Sequence, residues 1–267
     1  MKTRRPDRRK GRQFLPEHRP SGVRSRRFAL EPLERRSLLS STVPANLQPR
    51  EILPGEEFAV GSTPAALVVG DFNNDGKLDF VSVNQDANTV SLLLGRGGAT
   101  YAPQATYVVG NTPVAAAAAD LDADGWLDLV VANRQSNTVS VLRSKQDGTF
   151  LDAVTYSVGS GPQSVALGDL NNDQVPDIVA ANGGDNTVSV LLGRGNGTFL
   201  SQVAVSTGSN PIAVSLGDLN ADQKLDLLVA NQADNTLSVL LGLGNGGFAA
   251  KAAVYSLGAG PRDLVTG

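Results

Sequence analysis

Cysteine is absent from the 267 residues, so no disulfide can staple the chain and no Cys-His nucleophile can be assembled. Histidine occurs once, as His18 in a basic arm, which removes Ser-His-Asp machinery as well. No run of about 18 apolar residues exists, so no membrane-spanning helix is expected. The basic N-terminus also lacks the roughly 7 to 15 apolar residues that an ordinary secretory signal places after its positive region. Stabilisation must come from packing or from something bound.

Charge divides the chain in two. Residues 1–40 carry 13 Lys and Arg against 4 Asp and Glu, a balance of +9; residues 41–267 carry 10 against 22, a balance of −12. Segment 1–27 has basic clusters, Pro, Gly and almost no apolar content, a composition of disorder. It reads as a targeting or translation-start extension, with a nucleic-acid-binding arm as the lesser alternative. For the acidic remainder nucleic acid is a poor partner. The domain reading is a disordered basic targeting region and linker over 1–50, with Pro44 and Pro49 in the linker, and a repeat body over 51–267.

Repetition organises that body. The nine residues Asp71–Asp79 return as Asp120–Asp128, Asp169–Asp177 and Asp218–Asp226, each step being 49 residues; a fixed period in this range marks a repeat architecture. Oxygen-bearing side chains fall at positions 1, 3, 5 and 9: Asp71, Asn73, Asp75 and Asp79; Asp120, Asp122, Asp124 and Asp128; Asp169, Asn171, Asp173 and Asp177; Asp218, Asn220, Asp222 and Asp226. Such alternation lets a tight turn aim several hard oxygens at one point. The position-7 carbonyl of Lys77, Trp126, Val175 or Lys224 can complete a calcium shell. An EF-hand is excluded, because its Glu at position 12 is replaced by Ser82, Val131, Ala180 and Val229.

Asp, Asn and Gly also build plain turns without metal. Four loops that each keep all four oxygen positions argue for the cation, since carboxylates crowded together repel. Position 6, where a left-handed residue is needed, is Gly76 and Gly125 but Gln174 and Gln223. Gln there costs on the order of 1 kcal/mol, so the third and fourth sites are expected to bind less tightly or with altered geometry. A site with Kd about a hundredfold below ambient calcium adds roughly 2.7 kcal/mol to folding. Four independent sites would add about 11 kcal/mol, comparable to a domain's net stability.

Aligned on the loops, the units near 65–110, 114–159, 163–208 and 212–258 each hold four strand candidates. Strand one is Ala65–Val69, Val114–Ala118, Ser164–Leu167 or Ile212–Leu216. Ala115–Ala119 alone would suggest a helix, but the register overrides it, and small residues suit the crowded inner strand of a blade. Strand two is the apolar run Phe80–Val83, Leu129–Ala132, Ile178–Ala181 or Leu227–Ala230. Strand three opens at Asn88, Asn137, Asn186 or Asn235 and alternates β-branched residues. Gly-rich turns such as Asn196-Gly197 and Asn245-Gly246 follow, then Tyr101, Phe150, Phe199 or Phe248, then strand four. The expected fold is all-β, a propeller of about four complete blades plus two partial strands, incomplete or open.

The texts GDLNNDxxxD(L/I)V(V/A)AN and NTVSVLLGxGxGTF, as in Gly168–Asn182 and Asn186–Phe199, resemble the FG-GAP/VCBS repeats also seen in the N-terminal propeller of integrin alpha subunits. The resemblance runs over about 57–267. It implies a calcium-bound β-propeller with adhesion or ligand-binding roles, often within a longer exported protein. Gln174, Gln223 and Pro176 depart from the pattern. Separately, Phe28–Ser40 resembles the "LEPLE.R.LLS" segment of planctomycete-type bacterial exported proteins, which implies an extracellular or cell-surface location. The bland reading of that segment is a short amphipathic helical turn.

At the ends, Glu57–Gly61 aligns with a strand four, and 262–267 with the start of a fifth unit. Either these pair into a partial fifth blade, or the sequence is a piece of a longer propeller whose open edge can pair with another chain; the second is preferred. Gly242–Gly247 fits GxGxxG, but no helix follows it, so it is no nucleotide fingerprint. The expected function is a non-catalytic, calcium-stabilised binding or scaffold module with a protein or glycan ligand. The alternative is a polysaccharide-processing or lectin-like propeller, in which Trp126 stacks on a sugar ring instead of shielding its own loop.

Overall fold

A computed structural model describes residues 57–98, 100–249 and 253–264. The basic arm and the export-like segment Phe28–Ser40 lie outside the described residues.

Four antiparallel sheets follow one another. The first holds β1 (Pro64–Gly70), β2 (Asp79–Asn84), β3 (Thr89–Leu93) and β6 (Ala105–Val108); a ribbon of β4 (Gly95–Gly97) and β5 (Thr100–Tyr101) intervenes. The second holds β7 (Pro113–Ala119), β8 (Asp128–Asn133), β9 (Thr138–Leu142) and β10 (Val154–Ser157). The third holds β11 (Pro162–Gly168), β12 (Asp177–Asn182), β13 (Thr187–Leu191) and β14 (Val203–Ser206). The fourth holds β15 (Pro211–Gly217), β16 (Asp226–Asn231), β17 (Thr236–Leu240) and β18 (Ala253–Ser256). No helix occurs among the described residues.

Each first strand opens on a proline, and its register slips directly after it, between Pro64 and Ala66 and at the three equivalent places. Proline has no N–H to give the ladder, so the irregularity falls where the residue type puts it. The alanine run of β7 is a strand, paired from Ala115↔Ala132 to Ala119↔Asp128. Its small side chains fit because β7 has both β1 and β11 as neighbours.

Alternation of side chains gives every sheet two apolar faces, and each internal face packs on the next sheet. Val81, Val83 and Leu92 meet Leu129, Val131 and Leu142. Val130 and Val141 meet Ile178 and Leu191, and Val179 and Val190 meet Val214 and Leu227. Each such side chain contributes about 1.5–3 kcal/mol by leaving water. The first strands run side by side in the order β1, β7, β11, β15. The result is a β-propeller sector in which four thin sheets share three cores.

A polar clasp recurs at the far end of each second strand. Asn84, Asn133, Asn182 and Asn231 are fully buried; each Nδ2 donates to a threonine and a serine of the third strand, for Asn182 to Thr187 at 3.0 Å and Ser189 at 2.8 Å. The third strands begin one residue later than expected, at Thr. Asn88, Asn137, Asn186 and Asn235 instead take left-handed turn conformations, with φ of 55°, 55°, 61° and 54°, which Asn tolerates better than most residues. Their Oδ1 atoms accept the N–H of Thr112, Gly161, Asn210 and Gly260 in the link to the next unit. Against expectation, neither 57–61 nor 261–264 forms a strand, and 265–267 lie outside the described residues. A strand requires a neighbour for its backbone groups, and no described strand pairs with these segments.

Candidate metal centres

Each Asp-rich loop joins a first strand to a second and is wound by its own side chains. Asp71 Oδ1 accepts the Asp75 N–H at 3.0 Å and Oδ2 the Gly76 N–H at 2.7 Å. Asp120, Asp169 and Asp218 accept the same pair in their loops. Position 5 then accepts from the N–H at position 7, as in Trp126 to Asp124 at 2.8 Å. Asp and Asn therefore shape the turn as well as lining it.

At position 6, Gly76 (φ 79°), Gly125 (84°), Gln174 (67°) and Gln223 (64°) are all left-handed. The Gln loops keep the backbone bonds of the Gly loops, so the substitution shows as strain and not as altered hydrogen bonding. Position 4 is left-handed too, at Asn74, Ala123, Asn172 and Ala221. The sequence reading missed this, although Asn at two of the four places is the residue that would signal it.

Position 9 is buried in every loop and staples the turn. Asp79 Oδ2 accepts the Phe72 N–H and Oδ1 the Gly95 N–H, both at 2.7 Å. Asp128, Asp177 and Asp226 do the same with Leu121 and Ser144, Leu170 and Gly193, and Leu219 and Gly242. Burial, and then the neighbouring acids, push the Asp128 and Asp177 carboxyls up to about 6, against the pull of the backbone N–H groups. Each oxygen keeps a further lone pair, so the stapling role leaves position 9 available as a ligand.

The loops differ at the outer oxygens. In the first and fourth, Lys77 Nζ lies 2.9 Å from Asp75 Oδ2 and Lys224 Nζ 3.4 Å from Asp222 Oδ2. The sequence reading used these lysines only for their carbonyls. In the third, Asn171 Nδ2 donates to Asp173 Oδ2 at 2.8 Å. The second loop alone has three carboxylates, Asp120, Asp122 and Asp124, with oxygen atoms within 4.8 Å of one another. Gln146 Nε2 donates to Asp124 Oδ2 at 2.9 Å, and Arg143 Nη1 stands 3.6 Å from Asp122 Oδ2. Asp122 Oδ1 is buried without a hydrogen-bond partner. Burial, then Asp124 and Asp120, raise the Asp122 carboxyl, while Arg143 opposes. An orphaned buried oxygen amid three acids fits a hard cation, whose ligands are such oxygens. Trp126 is half-buried beside it.

Neighbouring units buttress the loops. Asn74 Nδ2 donates to the Gly125 carbonyl at 3.0 Å, so the first loop touches the second. Gly197 N–H reaches the Leu121 carbonyl at 3.3 Å, and Gly246 N–H the Leu170 carbonyl at 3.0 Å. The Gly-rich hairpins of the third and fourth units are thereby seated on the loops of the preceding units.

The FG-GAP-like repeat family matches residues 71–131, 120–180 and 169–229, each match opening at position 1 of a loop. The chain belongs to the FG-GAP-like repeat family. None of the curated proteins compared with it matches. Among solved structures, this FG-GAP-like chain is similar to BBS1N in its complex with ARL6DN, with 15% identity, 76% of this chain and 59% of that one covered, and a TM-score of 0.53. It is similar also to the periplasmic gluconolactonase PpgL of Pseudomonas aeruginosa, with 16% identity, 74% and 55% covered, and a TM-score of 0.54. A third is an Agrocybe aegerita lectin recognising non-reducing terminal N-acetylglucosamine, with 18% identity, 73% and 53% covered, and a TM-score of 0.50. At such identities the shared property is the fold, and the chain spans little more than half the length of each.

Proposed function

We propose that this FG-GAP-like repeat chain is a non-catalytic, calcium-binding propeller module of an exported or cell-surface protein, acting in adhesion, ligand binding or as a scaffold. The observation that carries the calcium reading is the second loop, where Asp120, Asp122 and Asp124 converge and Asp122 Oδ1 has no partner. Calcium held there by Asp120, Asp122, Asp124 and Asp128, with the Trp126 carbonyl, would neutralise the crowded acids. The equivalent residues would hold calcium in the other loops, with Lys77 and Lys224 as local competitors for positive charge. Export is supported by the resemblance of Phe28–Ser40, and the non-catalytic reading by the lack of Cys and of any His in the repeat body. Calcium is expected to raise the melting temperature and chelator to lower it, with heat of binding in titration calorimetry. An unchanged melting curve and no heat would overturn the reading.

One observation favours glycan binding as a second reading. A groove of about 370 Å³ between the second and third sheets is lined by Thr155, Tyr156, Ser157, Phe199, Ser201 and Gln202 among others, and Gln202 Oε1 is buried there without a partner. Hydroxyls and an amide beside aromatic rings suit a neutral sugar. A glycan array read with Gln202→Ala and Trp126→Ala tests it; absence of any glycan signal for the parent chain ends it.

A further inference from the structure

Each internal contact between successive sheets has three parts, which can be checked one by one at the outer faces. The first is the apolar face itself: Val179, Val188 and Val190 of the third sheet are buried by the fourth. The second is the apolar residue at loop position 2. Phe72, Leu121 and Leu170 are at most 3% exposed and lie within the cores between neighbouring sheets. The third, at the first two contacts, is an aromatic pair in which the fourth-strand tyrosine stands edge-on to the aromatic of the next unit; at the last contact Val205 takes the tyrosine's place in the core that holds Phe248. Tyr107 and Phe150 lie 5.2 Å apart, and Tyr156 and Phe199 5.5 Å.

On the outer face of the fourth sheet all three parts are open. Leu228, Leu237 and Val239, at the places of Val179, Val188 and Val190, are only half-buried. Leu219, at position 2 of its loop, is 48% exposed, and Tyr255 is 56% exposed. The outer face of the first sheet shows the complement. Leu67 is 63% and Val69 41% exposed, at the places where Val165 and Leu167 or Val214 and Leu216 meet the preceding sheet. Among the described strands, the principal packing does not join the fourth sheet back to the first.

These two faces are the two halves of an interface that the chain already builds three times. We propose that the fourth sheet of one copy docks on the first sheet of a second copy, and reciprocally, so that two chains close a ring of eight sheets. This inference rests on the propeller fold and does not depend on calcium. The contact is heterologous, so it must close or run on as a filament; eight blades lie within the range that propellers close. The continuity with the internal interfaces argues for this partner, because a unit of this repeat presents the apolar face that meets the preceding sheet three times within the chain.

One seat is already taken. Phe58 stands edge-on to Tyr101 at 4.8 Å, where Tyr255 of the second copy would stand. Phe58 belongs to a segment in no strand, so docking displaces it, and Phe58 acts as a competitor of the dimer.

Light scattering of the full chain after size exclusion tests this. The expected mass is about twice 27.7 kDa. Tyr255→Asp and, on the opposite face, Leu67→Lys each convert the dimer to monomer with an unchanged circular dichroism spectrum. Val203→Asp, at an equally exposed outer-strand position of the third sheet (64%), leaves the dimer intact. Phe58→Ala tightens the dimer about three- to tenfold, the worth of one aromatic pair. A monomer at all concentrations, a dimer indifferent to both Tyr255→Asp and Leu67→Lys, or a mass that grows without limit would each overturn the closed ring.

Discussion

Replacing Asp122 by Asn should move stability in opposite directions with and without calcium. The other three loops already carry Asn at this position, and they show what the variant gains: Asn171 Nδ2 donates to Asp173 Oδ2 at 2.8 Å and Asn73 Nδ2 to Asp75 Oδ2 at 3.2 Å. In the metal-free chain, Asp122→Asn therefore exchanges a carboxylate repelled by Asp120 and Asp124 for a donor to Asp124. A hydrogen bond to a charged acceptor is worth about 1.5–3 kcal/mol when buried; at this partly exposed site, already shared with Gln146, about 1–1.5 kcal/mol is expected. Loss of the 3.6 Å pair with Arg143 subtracts up to about 0.5 kcal/mol for a surface ion pair. The net gain of about 1 kcal/mol raises the melting temperature in chelator by roughly 2–4 °C for a body of this size. In saturating calcium the variant loses one anionic ligand, and a tenfold weaker site costs about 1.4 kcal/mol. The increment on adding calcium thus shrinks by about 1.4 kcal/mol, which leaves the variant about 0.4 kcal/mol below the parent in calcium and about 1 kcal/mol above it in chelator. Paired calorimetric scans of parent and variant, in chelator and in calcium, measure both signs. Destabilisation in chelator, or an unchanged calcium increment, would refute the argument that these three acids are crowded around a cation site.

Gln174→Gly and Gln223→Gly should each stabilise the metal-free chain by about 0.5–1 kcal/mol in urea denaturation, because relief of left-handed strain exceeds the entropy cost of glycine; a loss of stability contradicts this. Asn182→Ala should cost about 1–3 kcal/mol by removing the donor to Thr187 and Ser189 from a fully buried site, read as a lower urea midpoint; a neutral result would show the clasp to be dispensable. For pH, the Asp128 and Asp177 carboxyls are raised in the folded state to about 6, so without metal they favour folding below pH 4 and lose that contribution as pH rises through 6. Asp75, lowered mainly by Lys77 against its burial, acts in the opposite sense and loses its contribution as pH falls through the acid range. Bound calcium requires the ionised forms, so the gap between melting temperatures in calcium and in chelator should widen from pH 4 to pH 6; a constant gap would count against Asp128 and Asp177 as ligands.

Much of this molecule is local, and what is local was legible. The 49-residue period, apolar second strands and Asp at positions 1, 5 and 9 fix a repeating unit, because strand pairing between near neighbours and side-chain bonds within a nine-residue loop involve groups close in the chain. Even the alanine run of β7 could be placed as a strand by register alone. The tertiary structure decided what depends on groups far apart in the chain, or on the absence of a neighbour. Arg143 and Gln146 reach the second loop from beyond the following strands, and Gly197 and Gly246 bond to loops of preceding units. The segments at 57–61 and 261–264 remain outside the ladders for want of a described strand beside them. Which apolar faces are covered is likewise a matter of neighbours: Val190 and Val239 occupy equivalent places in equivalent strands, yet one is buried and the other half-open, since burial is set by the next sheet and not by the residue itself.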